Sequence, residues 1–230
     1  MKPSPLRVGP MLPHIDLANA ITLAGLAMGL LASWLAIQGQ PNLALVALIW
    51  AGIADMLDGP VARNLPRSEM ASGMGKELDS LADMCSFGFA PAIISLQLGL
   101  GHFPLAVLSV FVYLGAPAIR LAYFNRQGLE VTGGRPMFTG LPVTSVAGIL
   151  PLAGLALPVL PEAWRVPFLC GVLLLLAAAM VSGLRIPKPR KAGVVVAGLM
   201  ALTLTFLHVQ AAYRQLAPAT AEAARLVDTP

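Results

Sequence analysis

The sequence predicts an all-α integral membrane protein, a polytopic helical bundle. Three observations carry that expectation. Of 230 residues, 57% are hydrophobic and only 11% are charged, against about a quarter charged in soluble domains. The apolar residues fall into seven stretches long enough to cross about 30 Å of hydrocarbon as helices. The basic residues divide unevenly between the loops that alternate across such a bundle.

The first span is expected over Leu17–Ile37, where Gly25 and Gly29 form a GxxxG suited to close helix packing. It is long enough to span and more spans follow, so it does not read as a cleavable signal peptide. The second, Asn42–Arg63, turns polar at its end, and the third, Gly75–Leu98, begins polar. The third and the fourth, Phe103–Phe124, contain Pro91 and Pro117, which membrane helices tolerate. The fifth to seventh are expected over Leu141–Leu160, Trp164–Leu184 and Ala192–Tyr213. Residues 1–216 then read as one transmembrane domain, and 217–230 as a flexible tail rich in Ala, Thr and Pro.

Seven spans put Lys2, Arg7, Arg63, Arg67, Lys76, Arg120, Arg126, Arg135, Arg185, Lys188, Arg190 and Lys191 on one side. Only Arg165, Arg214 and Arg225 fall on the other. The positive-inside rule makes the first side cytoplasmic and accounts for the net charge of +4. No dense basic run with interleaved aromatics points to nucleic acid. Cys85 and Cys170 have no metal-ligand or CxxC spacing and read as small buried hydrophobes. His14, His102 and His208 are isolated in sequence, and no partner is visible for His208 in the last span.

Chemistry concentrates where the second and third spans meet. The second ends Asp55-Met-Leu-Asp58-Gly59-Pro-Val-Ala62-Arg63, and the third begins Gly75-Lys-Glu-Leu-Asp79-Ser-Leu-Ala-Asp83. Asp55 and Asp58 share a helix face, as do Asp79 and Asp83. A short loop makes the two helices antiparallel neighbours, so the pairs can converge. Each aspartate costs about 2.5–3.5 kcal/mol at a helix centre, less nearer the interface, and ionised together they repel. Oxygen ligands without His or Cys point to Mg²⁺ or Mn²⁺. Two carboxylate pairs suit two ions and in-line attack on phosphorus. Gly59 and Gly75 leave room for a diphosphate beside the backbone. Arg63, five residues after Asp58, is placed for a phosphate oxygen.

This window resembles the signature of the CDP-alcohol phosphotransferase family, D-x2-D-G-x2-A-R, a spacer, then G-x3-D-x3-D. Asp55, Asp58, Gly59, Ala62, Arg63, Gly75, Asp79 and Asp83 occupy its named positions. The spacer, Asn64–Met74, is eleven residues, three more than the family usually has. The resemblance implies a six-helix catalytic core, plus about one helix here, with a polar cavity open to the cytoplasm. It implies a CDP-diacylglycerol donor, a small alcohol acceptor, CMP as product and frequent homodimers. Asp55, Asp58 and Asp79 would hold metal, and Asp83 would take the acceptor's proton while also approaching metal. Gly59, Ala62, Arg63, Gly75 and the loop residue Ser72 would face the donor, with Asn19 and Thr22 near its cytidine.

Leu78–Pro91, Arg120–Asn125 and Phe138–Pro142 are further similar to the family's serine-accepting branch. Arg120, inside the fourth span, needs a partner there and is a candidate for the acceptor's carboxylate. The same charge would also suit glycerol phosphate or inositol phosphate, and choline is another possible acceptor. A cation transporter is the alternative of a different class, since buried acids also mark ion pathways.

Overall fold

The computed structural model describes residues 11–128, 130–132, 135–187 and 191–227. Lys2, Arg7, Lys188 and Arg190 lie outside the described residues, as do the side chains of Arg135, Lys191 and Arg225.

The protein is an all-α polytopic membrane bundle. Among the described residues, five helices are long and apolar enough to cross a membrane: α1 (Leu17–Ile37), α2 (Pro41–Asn64), α5 (Pro104–Gln127), α7 (Glu162–Val181) and most of α8 (Lys191–Val227). Two expected spans differ from this pattern. The third is a composite rod of α3 (Glu69–Asp83), a π-helical stretch over Met84–Phe89, and α4 (Ala90–Gln97). It starts earlier than expected because Ser68 caps it, accepting a hydrogen bond from the Ala71 N–H. The fifth shortens to α6 (Val146–Ala156) after a 3₁₀ turn at Val143–Ser145. At about 1.5 Å per residue α6 falls short of the hydrocarbon thickness. Proline at 142 precedes it, and prolines at 158 and 161 follow. Beyond Ala217, where the sequence suggests a tail, the backbone stays helical to Val227.

The α1–α2 hairpin forms the centre of the bundle. Ala32, Ala36, Ala44, Ala47 and Ala51 are buried there, and such small residues let backbones approach. The GxxxG glycines face two different neighbours. A Cβ on Gly25 would meet the Ala54 Cβ at 3.2 Å. One on Gly29 would meet Ser86 Oγ at 2.5 Å and its backbone Cα at 2.8 Å. Gly29 therefore admits the π-helical stretch against α1.

Pro91 explains that stretch. In an α-helix the N–H of residue 91 would bond the Phe87 carbonyl, and proline has none. The helix widens, so that the Ala90 N–H reaches back five residues to Cys85 O. The Phe87 carbonyl instead accepts the hydroxyl of the buried Tyr113, on α5, at 2.5 Å.

Three features escape the sequence reading. A three-stranded antiparallel sheet joins β1 (Glu130–Thr132), β2 (Arg135–Thr139) and β3 (Arg185–Pro187), with Phe138 opposite Ile186. Cys85 is exposed on the rod rather than buried. His208 has partners after all: it is 0% exposed, with Nδ1 2.9 Å from Asn42 Oδ1 and Nε2 3.0 Å from Pro151 O. It ties α8 to α2 and α6, residues remote in sequence.

Tyr113→Phe leaves the Phe87 carbonyl buried without its donor. It is expected to destabilise the bundle by about 1–3 kcal/mol, read as a lowered thermal midpoint in detergent.

Candidate active site

The two Asp pairs converge. Asp55 and Asp58 lie on α2, Asp79 and Asp83 near the end of α3, and all four line one narrow cleft. One oxygen from each of Asp55, Asp58 and Asp79 lies within 4.8 Å of the others. Asp83 stands outside that trio, with its carboxyl in hydrogen-bonding reach of Asp55. Two oxygens on opposite sides of one Mg²⁺ lie about 4.2 Å apart, from Mg–O distances near 2.1 Å. Small side-chain rotations therefore bring the trio onto one ion, and the all-oxygen set fits Mg²⁺ or Mn²⁺.

The residues around the acids fall into two groups. On the α1 side, Thr22 Oγ1 donates to Asp58 Oδ2 at 2.8 Å and also lies 3.2 Å from Ala18 O. Thr22 thus orients one carboxylate of the trio. Asn19 is buried one turn earlier. Its amide is engaged at both ends: Nδ2 donates to His14 O at 3.1 Å and Oδ1 accepts from Arg67 Nη2 at 2.7 Å. Gly59 and Gly75 differ in kind. A Cβ on Gly59 would meet only Arg63 Nη1, at 3.5 Å, so the fold itself does not demand glycine there. A Cβ on Gly75 would come 2.5 Å from Arg67 Nη2 and 2.6 Å from Asn19 Oδ1. Arg63 is exposed at the end of α2 and Ala62 is half-buried beside it. Ser72 is exposed on the first turn of α3, away from the residues lining the acid cleft.

On the α5 side, Arg120 is 6% exposed. Its guanidinium carbon lies 5.8 Å from the Phe124 ring centre and 6.0 Å from that of Phe138, on β2. It attracts Asp83 and Asp55 electrostatically, while its Nε is buried without a hydrogen-bond partner among the described residues. A buried donor left unsatisfied costs about 1–3 kcal/mol, so this group is suited to an incoming anion. Lys76 Nζ donates to Asn125 O at 3.2 Å and Asn125 Nδ2 to Ser80 Oγ at 2.8 Å, fixing α5 to α3.

The sequence reading names Arg67 only as a nearby base. In the structure its Nε meets Asp16 Oδ2 at 2.5 Å, a pairing across 51 residues that no local signal announces. The Phe124–Phe138 flank was likewise invisible, because β2 was read as loop.

The site is a membrane bundle's cluster of acids at one helix junction, an all-oxygen ligand set suited to a divalent metal, with a cation across from it. The chain belongs to the CDP-alcohol phosphatidyltransferase family, whose model matches residues 15–183. It is 36% identical over 143 residues to the CDP-diacylglycerol–serine O-phosphatidyltransferase of Mycobacterium leprae, covering 59% of this chain and 47% of that protein. The enzyme of the same name from Bacillus subtilis is 30% identical over 176 residues, 74% of this chain and 89% of that one. That of Helicobacter pylori is 32% identical over 188 residues, 79% and 76% respectively. The chain spans about half the length of the mycobacterial relatives it matches.

Thr22→Val removes the hydroxyl that holds Asp58 and keeps the side-chain shape. Losing such a partner typically costs 10- to 100-fold in metal affinity. Mn²⁺ titration followed by electron paramagnetic resonance is expected to show about that loss.

Proposed function

We propose that this protein transfers the phosphatidyl group of CDP-diacylglycerol to the hydroxyl of L-serine and releases CMP. The observation that carries the reading is the placement of Asp83. It borders the acid trio and is attracted to Arg120, a cation packed beside two neighbouring aromatic rings. The serine-transferring relatives support the choice of acceptor.

In this reading Asp55, Asp58 and Asp79 hold Mg²⁺ or Mn²⁺, two ions with the help of Asp83. Bound there, the ions would neutralise the diphosphate and stabilise CMP as it leaves. Thr22 keeps Asp58 turned inward. The open space at Gly59 lets the diphosphate approach α2, and Arg63, folded near it, offers its guanidinium to a phosphate oxygen. Ala62, Ser72 and Gly75 complete the donor side with Asn19.

Arg120 pairs with the carboxylate of serine. Its aromatic flanks leave one cation for one negative charge, which suits a carboxylate better than a phosphate dianion. Asp83 takes the serine hydroxyl proton as the oxygen attacks the lipid-side phosphorus. A new P–O bond forms, the bond from that phosphorus to the bridging oxygen breaks, and CMP departs with that oxygen. Residues 1–216 act as one catalytic domain and 217–230 follow as its tail. The site faces the cytoplasm from the cell membrane, and two copies associate as a homodimer.

The test is CMP release by purified protein given CDP-diacylglycerol, Mg²⁺ or Mn²⁺, and one acceptor at a time. Serine is expected to support turnover. Release with choline, glycerol phosphate or inositol phosphate but not serine would replace the acceptor. Cation flux in vesicles without CMP release would replace the reaction. Asp83→Asn is expected to abolish turnover while keeping the fold and much of the donor binding; wild-type turnover would remove Asp83 as base. Arg120→Ala is expected to raise the KM for serine about ten-fold or more, as for loss of a charged hydrogen bond, with the donor KM little changed.

A further inference from the structure

Arg67 stands in the eleven-residue spacer where this chain is longer than its family's usual pattern. Its guanidinium is held by three groups: Nε by Asp16 Oδ2 at 2.5 Å, and Nη2 by Asn19 Oδ1 at 2.7 Å and Ala71 O at 3.0 Å. Asp16 is itself fixed as the cap of α1, accepting from the Asn19 N–H at 3.0 Å. Burial pushes the Asp16 carboxyl up, but the Asn19 N–H and the Arg67 guanidinium outweigh it and hold the group below its ordinary range.

Two consequences follow from geometry. Asn19 has its carbonyl end on Arg67 and its amino end on His14 O, so both ends of its amide are occupied. The space beside Gly75 that lacks a side chain is filled by Arg67 Nη2. The nucleotide reading gives the donor these same two features, the Asn19 amide and the Gly75 surface. Arg67 also presents N–H donors to Asn19 Oδ1 and Ala71 O. The exocyclic amino group of a cytosine is a donor of the same kind.

We propose that Arg67 is a latch on the nucleotide subsite: it occupies the Asn19–Gly75 position when no donor is bound, and must leave Asn19 before a cytidine nucleotide can bind. The proposal rests on the reading that Asn19 and Gly75 flank the nucleotide. A latch lowers apparent affinity by the fraction of molecules in which it is closed. Unlatching therefore tightens binding, whereas loss of a phosphate ligand or of a merely structural contact does not.

The experiment is calorimetric titration of the purified full chain with CDP in Mg²⁺. The variants are Arg67→Ala, Asp16→Asn and Asn19→Ala. Asparagine remains a good helix cap, so Asp16→Asn removes the charge that holds Arg67, and so loosens the latch, without removing the cap of α1. CDP is expected to bind at least about five-fold tighter to both Arg67→Ala and Asp16→Asn, the population shift of an opened latch. Unchanged or weaker CDP binding in Arg67→Ala would overturn the latch, and weaker binding would make Arg67 a nucleotide ligand. Asn19→Ala is the separate arm. Weaker CDP binding there keeps the nucleotide reading even if the latch fails. Unchanged binding would remove the nucleotide reading, and the latch with it.

Discussion

The structure is organised by the need to hold four carboxylates at one end of two apolar helices. Such groups are costly in hydrocarbon and repel one another when ionised together. Their closest partners come largely from other helices, Thr22 on α1 and Arg120 on α5. The bundle holds them through packing far from the charges: the alanine seam between α1 and α2, and the close approach of the π-helical stretch to Gly29. Those contacts bring Thr22 onto Asp58 and set the rod carrying Asp79 and Asp83 against α2. An exposed, freely moving acid cluster would relax by turning outward. This one is held by backbone that has little freedom to move.

The rod shows how a local defect serves that arrangement. Pro91 removes one N–H, and the helix answers by widening just after Asp83. The widened turn would leave the Phe87 carbonyl unpaired in the buried interior, where such a group is expensive. Tyr113, on α5, supplies the missing hydrogen. Asp83 is thereby fixed relative to the helix that also carries Arg120. On the proposed reading these are the base and the acceptor's anchor, so this hydrogen bond, with the Lys76–Asn125 and Ser80–Asn125 contacts, helps to set their distance.

Much of this was legible in the sequence, and the limits of legibility are physical. Apolar length marks α1, α2, α5 and α7 well, because hydrocarbon thickness imposes it. Helical spacing puts Asp55 with Asp58 and Asp79 with Asp83, and a short loop brings the pairs together. The short α6 was harder, since prolines within an apolar run leave hydropathy unchanged while ending the helix. The sheet and the partners of Arg67, Arg120 and His208 were not legible. Most rest on residues dozens of positions apart, as Arg67 does with Asp16, His208 with Pro151 and β2 with β3. Spacing rules reach only a turn or two along one element.

The acids divide the site into unlike halves. Toward α1 the groups are hydrogen-bonding amides and hydroxyls with glycine surfaces between them. Toward α5 there is a cation beside two aromatic rings, with one donor unpaired among the described residues. In the first half Arg67 already occupies the Asn19 amide and the Gly75 surface. In the second half a donor is left unsatisfied. A two-substrate transferase gains from that asymmetry on the proposed reading. An occupied nucleotide side favours a ligand that replaces the bonds it breaks, as the large donor can. An unsatisfied acceptor side needs only one small anion. The order of affinities then follows from how each half is partnered before either substrate arrives.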